Sequence, residues 1–212
     1  MVVLLSYYMN EYNIIHSGEV LFMHEKQQLI FNVGKELFTE KGFKQTNIQA
    51  IAQHAGIGVG TFYNFFESKE QLFFEVFLNE NRILKETVVS SVDFDGEPIF
   101  VAKAIVHKLF SGMQESPILR EWFNPDVNSK LSMRLSEDET GTAYNDFSYT
   151  LFINLIALWQ NRGQIRSDLD PDFILALFNS LSFVDLHKAE IGNQYFPEVI
   201  DTLVESIVKQ LM

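Results

Sequence analysis

The side chains best suited to hold a metal or to trade protons in this chain are five histidines and 28 carboxylates, because its 212 residues include no cysteine. His16, His24, His54, His107 and His187 show no His-x-x-x-His or Glu-x-x-His spacing. Those spacings place two ligands on one helix face for zinc or di-iron. There is neither a phosphate-cradling glycine loop nor a Gly-x-Ser-x-Gly elbow, so bound nucleotide phosphates and a serine nucleophile lack their usual seats. Asp168 and Asp170 pair beside Pro171, in a turn where they read as capping residues. Zero cysteine removes disulfides, thiolate zinc, iron–sulfur clusters and cysteine nucleophiles together, and suits a reducing cytosol. The expectation is a protein that is not an enzyme, with no catalytic residue, no metal and no cofactor.

The elements that would position any other chemistry are helices. No segment shows convincing strand alternation, and no hairpin dipeptide stands between two such segments. The first helix is predicted over about Glu25–Glu40, from the helical recurrence of Ile30, Val33 and Leu37, with Gly42 suited to the left-handed position that ends it. Thr46-Asn47-Ile48-Gln49 fits a capping box with Thr46 as the cap, opening a short helix whose stripe is Ile48, Ile51, Ala52 and Ala55. Gly56-Ile57-Gly58 breaks it, and a third short helix is predicted from Val59 to about Phe66. Ser68-Lys69-Glu70-Gln71 is a second capping box, opening a fourth helix to about Val89. Two short helices joined by a glycine turn and braced by longer ones make the layout of a helix-turn-helix module. The small residues Ala52, Ala55 and Gly56 permit a close crossing, which leaves the outer face of the third helix free for a major groove.

Within residues 29–77, Leu37-Phe38, Lys41-Gly42-Phe43, Thr46, Ile51-Ala52, Ala55-Gly56, Gly60-Thr61, Tyr63, Phe66 and Ser68-Lys69 occur in order and without gaps. This run resembles the N-terminal DNA-binding domain of the TetR family of bacterial transcriptional regulators. The resemblance implies that Thr46 and Asn47, at the start of the second helix, touch backbone phosphates, helped by the positive helix end. It implies that Gly58, Val59, Thr61, Tyr63 and Asn64 line the recognition helix. Thr61 is suited to a base edge or a thymine methyl, Asn64 to adenine, and the Tyr63 hydroxyl to a phosphate. Gly60 would let the backbone approach DNA closely, and Lys69 resembles the family's phosphate-clamping lysine. Gly58 and Val59 depart from the polar residues usual in the family, which points to a different operator preference. They also keep open a different class of protein, a helical small-molecule-binding protein with a degenerate DNA-binding module.

From about Asn79 onward no motif stands out, but helices are predicted from Pro98 to about Met113, from Ser116-Pro117 to Trp122, from Pro125 to about Leu135, from about Ala143 to Asn161, from Pro171 to about Glu190, and from Pro197 to near Leu211. The helices over 143–161 and 171–190 are apolar on more than one face, so each must bury two sides. The resemblance implies a homodimer through such late helices, with Leu151, Leu155, Leu158, Phe178 and Leu181 as interface candidates. Aromatic density in the middle of the chain makes Phe77, Phe100, Phe110, Trp122, Phe123, Tyr144 and Phe147 candidates to line a pocket for an unknown small-molecule effector, flat or greasy in character.

The organisation expected is all-α: a mobile N-terminal extension over residues 1–23 with Met23 as an alternative start, a helix-turn-helix DNA-binding domain over 24–78 (its motif at about 47–66), and a helical effector-binding and dimerisation domain over 79–212, joined by a long helix. The formal charge of −12 argues against a nucleic-acid partner until it is divided by region. Residues 1–23 carry −2, residues 24–72 are neutral, and residues 73–212 carry −10. No run of about 18 apolar residues exists, so no membrane-spanning helix is expected. The function expected is a cytoplasmic bacterial regulator, most often a repressor, whose dimer sets recognition helices about 34–36 Å apart on a palindromic double-stranded operator and releases it when effector binding moves the fourth helix.

Overall fold

The structure is a computed structural model, and it describes residues 25–137 and 147–212. The extension expected over 1–23, the start of the helix expected from about Ala143, and Tyr144 lie outside the described residues. Among the described residues all regular structure is helical, and the chain divides into two units, 1–77 and 78–212.

In the first unit, α1 (Glu25–Gln45), α2 (Ile48–His54), α3 (Val59–Tyr63) and the first nine residues of α4 (Lys69–Ser90) surround one core. Helix α1 runs past its expected end, but its path breaks where a stop is expected, at Gly42, with φ 74°. That backbone is readily reached only by glycine. Gly56, φ 65°, makes the second such turn, between α2 and α3. The apolar stripe of α1 buries Ile30, Leu37 and Phe38 against Ile51, Phe62, Phe66, Leu72 and Phe73. The rings of Phe38 and Phe73 meet edge to face at 5.0 Å, and Phe43 joins them at 4.9 Å from Phe73. Each buried ring contributes about 2–3 kcal/mol of apolar transfer. Helices α1 and α4 approach so closely at Gly34 that a Cβ there would lie 2.7 Å from Leu72 Cδ2. Helix α3 ends at Tyr63 rather than Phe66, since the chain turns after its C-cap Asn64 and Phe66 enters the core from that turn.

The second unit holds the rest of α4, then α5 (Pro98–Glu115), a 3-10 turn (Leu119–Phe123), α6 (Pro125–Glu137), α7 (Phe147–Asn161), α8 (Pro171–Leu186), α9 (Lys188–Ile191) and α10 (Glu198–Leu211). Pro98 and Pro171 open α5 and α8 in the first turn, where proline costs no hydrogen bond. Asp170 caps α8 by accepting from Asp172 N at 2.9 Å. Helix α10 buries Ile200, Val204, Val208 and Leu211, a single stripe at helical spacing, against α5 and α8. Its polar flank meets α5 through Lys103–Glu205 at 3.0 Å and His107–Asp201 at 2.6 Å. Gly112 of α5 faces Leu84 of α4, where a Cβ would fall 2.1 Å from Leu84 Cδ1.

Two helical expectations are revised here. The segment after Ser116-Pro117 is a 3-10 turn rather than an α-helix, with Ser116 Oγ accepting from Leu119 N at 3.3 Å. The helix over 171–190 divides at His187 (φ −97°, ψ 17°) into α8 and α9. There Lys188 turns its ammonium to Asp185 Oδ1 at 3.2 Å and over the Phe123 ring at 4.8 Å. No described helix is long and apolar enough to cross a membrane.

Candidate nucleic-acid interface

The candidate surface is built on α3, five residues that open at Gly58 and close at Asn64. Its inward side chain is Phe62, fully buried with Phe66 behind it, their ring centroids 5.8 Å apart. Everything else on the helix turns outward. Gly58, Val59, Gly60, Tyr63 and Asn64 are exposed and Thr61 is half-buried. Tyr63 stands with its ring edge-on to Phe62 at 5.6 Å, so an apolar neighbour fixes the ring while half of the residue remains open to solvent. Ile57 N donates to Ala52 O at 2.9 Å and ties the turn back onto α2. No carboxylate occupies the first turn of α2 or of α3, which leaves both positive helix ends uncompensated from within.

The start of α2 corrects the expected capping. Asn47, not Thr46, is the N-cap, and its side chain accepts from Ala50 N at 2.8 Å. The Thr46 hydroxyl instead donates back toward α1, to Gly42 O at 2.8 Å and Leu37 O at 3.2 Å, and the residue is buried. Thr46 therefore offers no hydroxyl to a phosphate, whereas Asn47 remains exposed. The preference of asparagine over threonine at N-cap positions was the available signal. The second box holds with a shift of one residue. Ser68 Oγ accepts from Gln71 N at 3.1 Å, and Gln71 Oε1 accepts from Glu67 N at 2.7 Å rather than from Ser68.

Lys69 is drawn inward. Its ammonium donates to Phe43 O and Thr46 O, each at 2.8 Å, and lies 4.1 Å from the centroid of the Phe43 ring. A lysine in the first turn of α4 thus binds the connection between α1 and α2, a role the spacing of residues alone does not reveal.

The candidates in the second unit separate into several environments. Of the interface candidates, Leu151, Leu155 and Leu181 are buried within the unit. Leu158 and Phe178 are half-buried. The outward stripe of α8 is instead Phe173, Ala176, Ser180 and Phe183, with Phe173 52% and Phe183 61% exposed. Periodicity marked α8 as apolar on more than one face but could not say which face its own unit covers. Among the pocket candidates, Phe100 is 70% exposed, on the side of α5 away from Val101, Ala102, Ile105 and Val106, and cannot line an enclosed site. Phe77 is buried in the first unit. Phe110, Trp122 and Phe123 are half-buried. Tyr144 and the Phe147 side chain are outside the described residues. Among the described residues no group of histidine and carboxylate side chains could hold a metal ion.

Comparison with known proteins agrees with this geometry. Residues 30–76 match the family model described as bacterial regulatory proteins, tetR family. An uncharacterized HTH-type transcriptional regulator of Bacillus subtilis, YhgD, is 33% identical over 91 residues, 43% of this chain and 46% of that protein, so the chain spans less than half of this relative's length. The HTH-type transcriptional repressor KstR2 of Mycolicibacterium smegmatis is 22% identical over 186 residues, 84% of this chain and 90% of the repressor. The fold is shared with RolR, solved with resorcinol, at a TM-score of 0.59 and 19% identity over 88% of this chain and 87% of that one.

Proposed function

We propose, from the match of residues 30–76 to the family model of bacterial tetR regulatory proteins, that the chain is a homodimeric transcriptional repressor of that family that binds a palindromic operator and leaves it when a small hydrophobic or aromatic effector binds. The observation that carries this reading is the outer face of α3: Val59, Tyr63 and Asn64 stand exposed on a helix anchored by two fully buried rings. Asn64 is suited to the adenine edge, Thr61 to a base edge, and Tyr63 and Asn47 to phosphates. A reader with five cations and five anions in residues 24–72 has little general pull on DNA, so affinity rests on placed contacts and on pairing two readers. The stripe of Phe173, Ala176, Ser180 and Phe183 supports dimerisation, because two exposed phenylalanines flank small residues that allow close helix approach. Phe110, Trp122 and Phe123 are the aromatic candidates for the effector, and RolR, whose structure holds an aromatic ligand, lends support to that class. A protein of this kind acts on the chromosome, hence in the bacterial cytoplasm.

Helix α4 contributes residues to both units, which makes it the covalent route from effector to reader. An effector shifts the balance only by its differential affinity for the DNA-binding and released states. The test is fluorescence anisotropy of the full chain with fragments upstream of its own gene. A saturable complex at nanomolar to micromolar protein, weakened by Tyr63→Ala without loss of helicity, is expected. No complex with any fragment at low salt would favour a small-molecule-binding protein with a degenerate reader.

A further inference from the structure

Two glycines in the reader have no internal reason to be glycine. Gly58 has φ −74° and ψ 149°, open to any residue, and a Cβ there would meet nothing closer than Thr61 Oγ1 at 3.9 Å. Gly60 lies inside α3, and a Cβ there would meet nothing within 4 Å. Glycine in a helix interior costs up to about 1 kcal/mol relative to alanine. At the N-cap, Gly58 also supplies no side-chain hydrogen bond to the open helix end. Both positions give up local stability to keep the surface bare. Between them stands Val59, 36% exposed, with only an isopropyl group to offer. The opening of the recognition helix, Gly58 to Gly60, is therefore a flat, apolar step, and its polar side chains begin at Thr61, followed by Tyr63 and the C-cap Asn64.

Resting on the DNA-binding reading above, we propose that Val59, with Gly58 and Gly60 beside it, recognises the C5-methyl of a thymine in each half-site by close apolar contact. Thymine is the only standard base that presents a methyl group in the major groove. A valine has no hydrogen-bonding group with which to read any other edge. The two bare glycines allow the α3 backbone to come near enough for the isopropyl group to reach that methyl.

The test starts from duplexes enriched from a randomised library by the full chain. Deoxyuridine replaces thymidine one position at a time, which deletes the methyl and keeps the pairing. One thymine per half-site should show about a fourfold loss on this exchange, the value of one buried methyl group, and about fifteenfold when both half-sites are changed. Val59→Ala should bind the thymine and uracil duplexes almost equally. Gly60→Ala should keep or raise the thermal midpoint of the chain while weakening the complex, which separates an effect on DNA from an effect on folding. Uracil scanning without loss at any position, or the same thymine preference in Val59→Ala, would overturn the inference and leave the DNA-binding reading standing. Failure to enrich any duplex would overturn both.

Discussion

The ammonium of Lys69 donates to the main-chain carbonyl of Thr46 at 2.8 Å. The side chain of Thr46 in turn donates to Gly42 O and Leu37 O. Lys69 also takes the carbonyl of Phe43. The first turn of α4 and the end of α1 thus hold the residues that lead into α2. Lys69→Met keeps an unbranched side chain of similar length and removes the ammonium, with its two hydrogen bonds and its place over the Phe43 ring. We expect a loss of about 2 kcal/mol in urea unfolding of the full chain, from two charge-assisted bonds with partial exposure. Unchanged stability with DNA affinity lowered uniformly across sequences would instead mark a lysine whose whole role is a phosphate contact.

Asn47 and Thr46 should separate cleanly. Asn47→Ala removes the N-cap and should cost about 1 kcal/mol, while Asn47→Asp should retain it. Thr46→Val keeps the shape but strips the donor from a buried site, with an expected cost of about 1–3 kcal/mol. If calorimetry of the three variants finds Asn47→Ala neutral, the cap is not set by that side chain.

The stripe on α8 gives a test with two arms. Phe183→Glu or Phe173→Glu should leave helicity and the thermal midpoint nearly unchanged while shifting the sedimentation mass toward one chain. Leu181→Glu places a charge in a site only 2% exposed and should unfold the second unit. A native dimer mass in both phenylalanine variants would remove this face as the interface.

Acid sensitivity should trace in part to Glu205. Lys209, and then Lys103, hold its carboxyl well below the ordinary range, from 4.5 to about 2. A folded value below the unfolded one means that the contribution is complete above about pH 4.5 and fades as pH falls toward 2. Glu205→Gln should therefore lower the urea midpoint at pH 7 and flatten its decline between pH 5 and about 2.5. Parallel declines in the two proteins would exclude this carboxylate as a source of acid lability.

The reader was largely legible in the sequence because its signals are local. Gly42 and Gly56 are needed where φ turns positive, and the stripe of Ile30, Val33 and Leu37 follows helical spacing into the core. What local pattern could not supply was competition between neighbours. Thr46 and Asn47 both suit an N-cap, and the carbonyls at the end of α1 decided the matter by drawing the threonine hydroxyl away. Lys69 reaches residues 23 and 26 positions earlier in the chain, beyond any periodicity. In the second unit, α8 is apolar on two sides, and only the packing of α7 and α10 against it shows that Leu181 faces inward and Phe183 outward.

The helix that grips the reader at its first residue is also one of the longest in the chain, Lys69–Ser90. At about 1.5 Å per residue it is a rod of roughly 33 Å, fastened at one end by an ammonium to two carbonyls rather than by apolar packing alone. Hydrogen bonds are directional where oily contacts slide. A swing of this rod cannot be absorbed as slippage at Lys69. Under the proposed effector response it would either carry the start of α2 along or break the clasp, and each outcome would alter the angle at which the proposed recognition helix is offered.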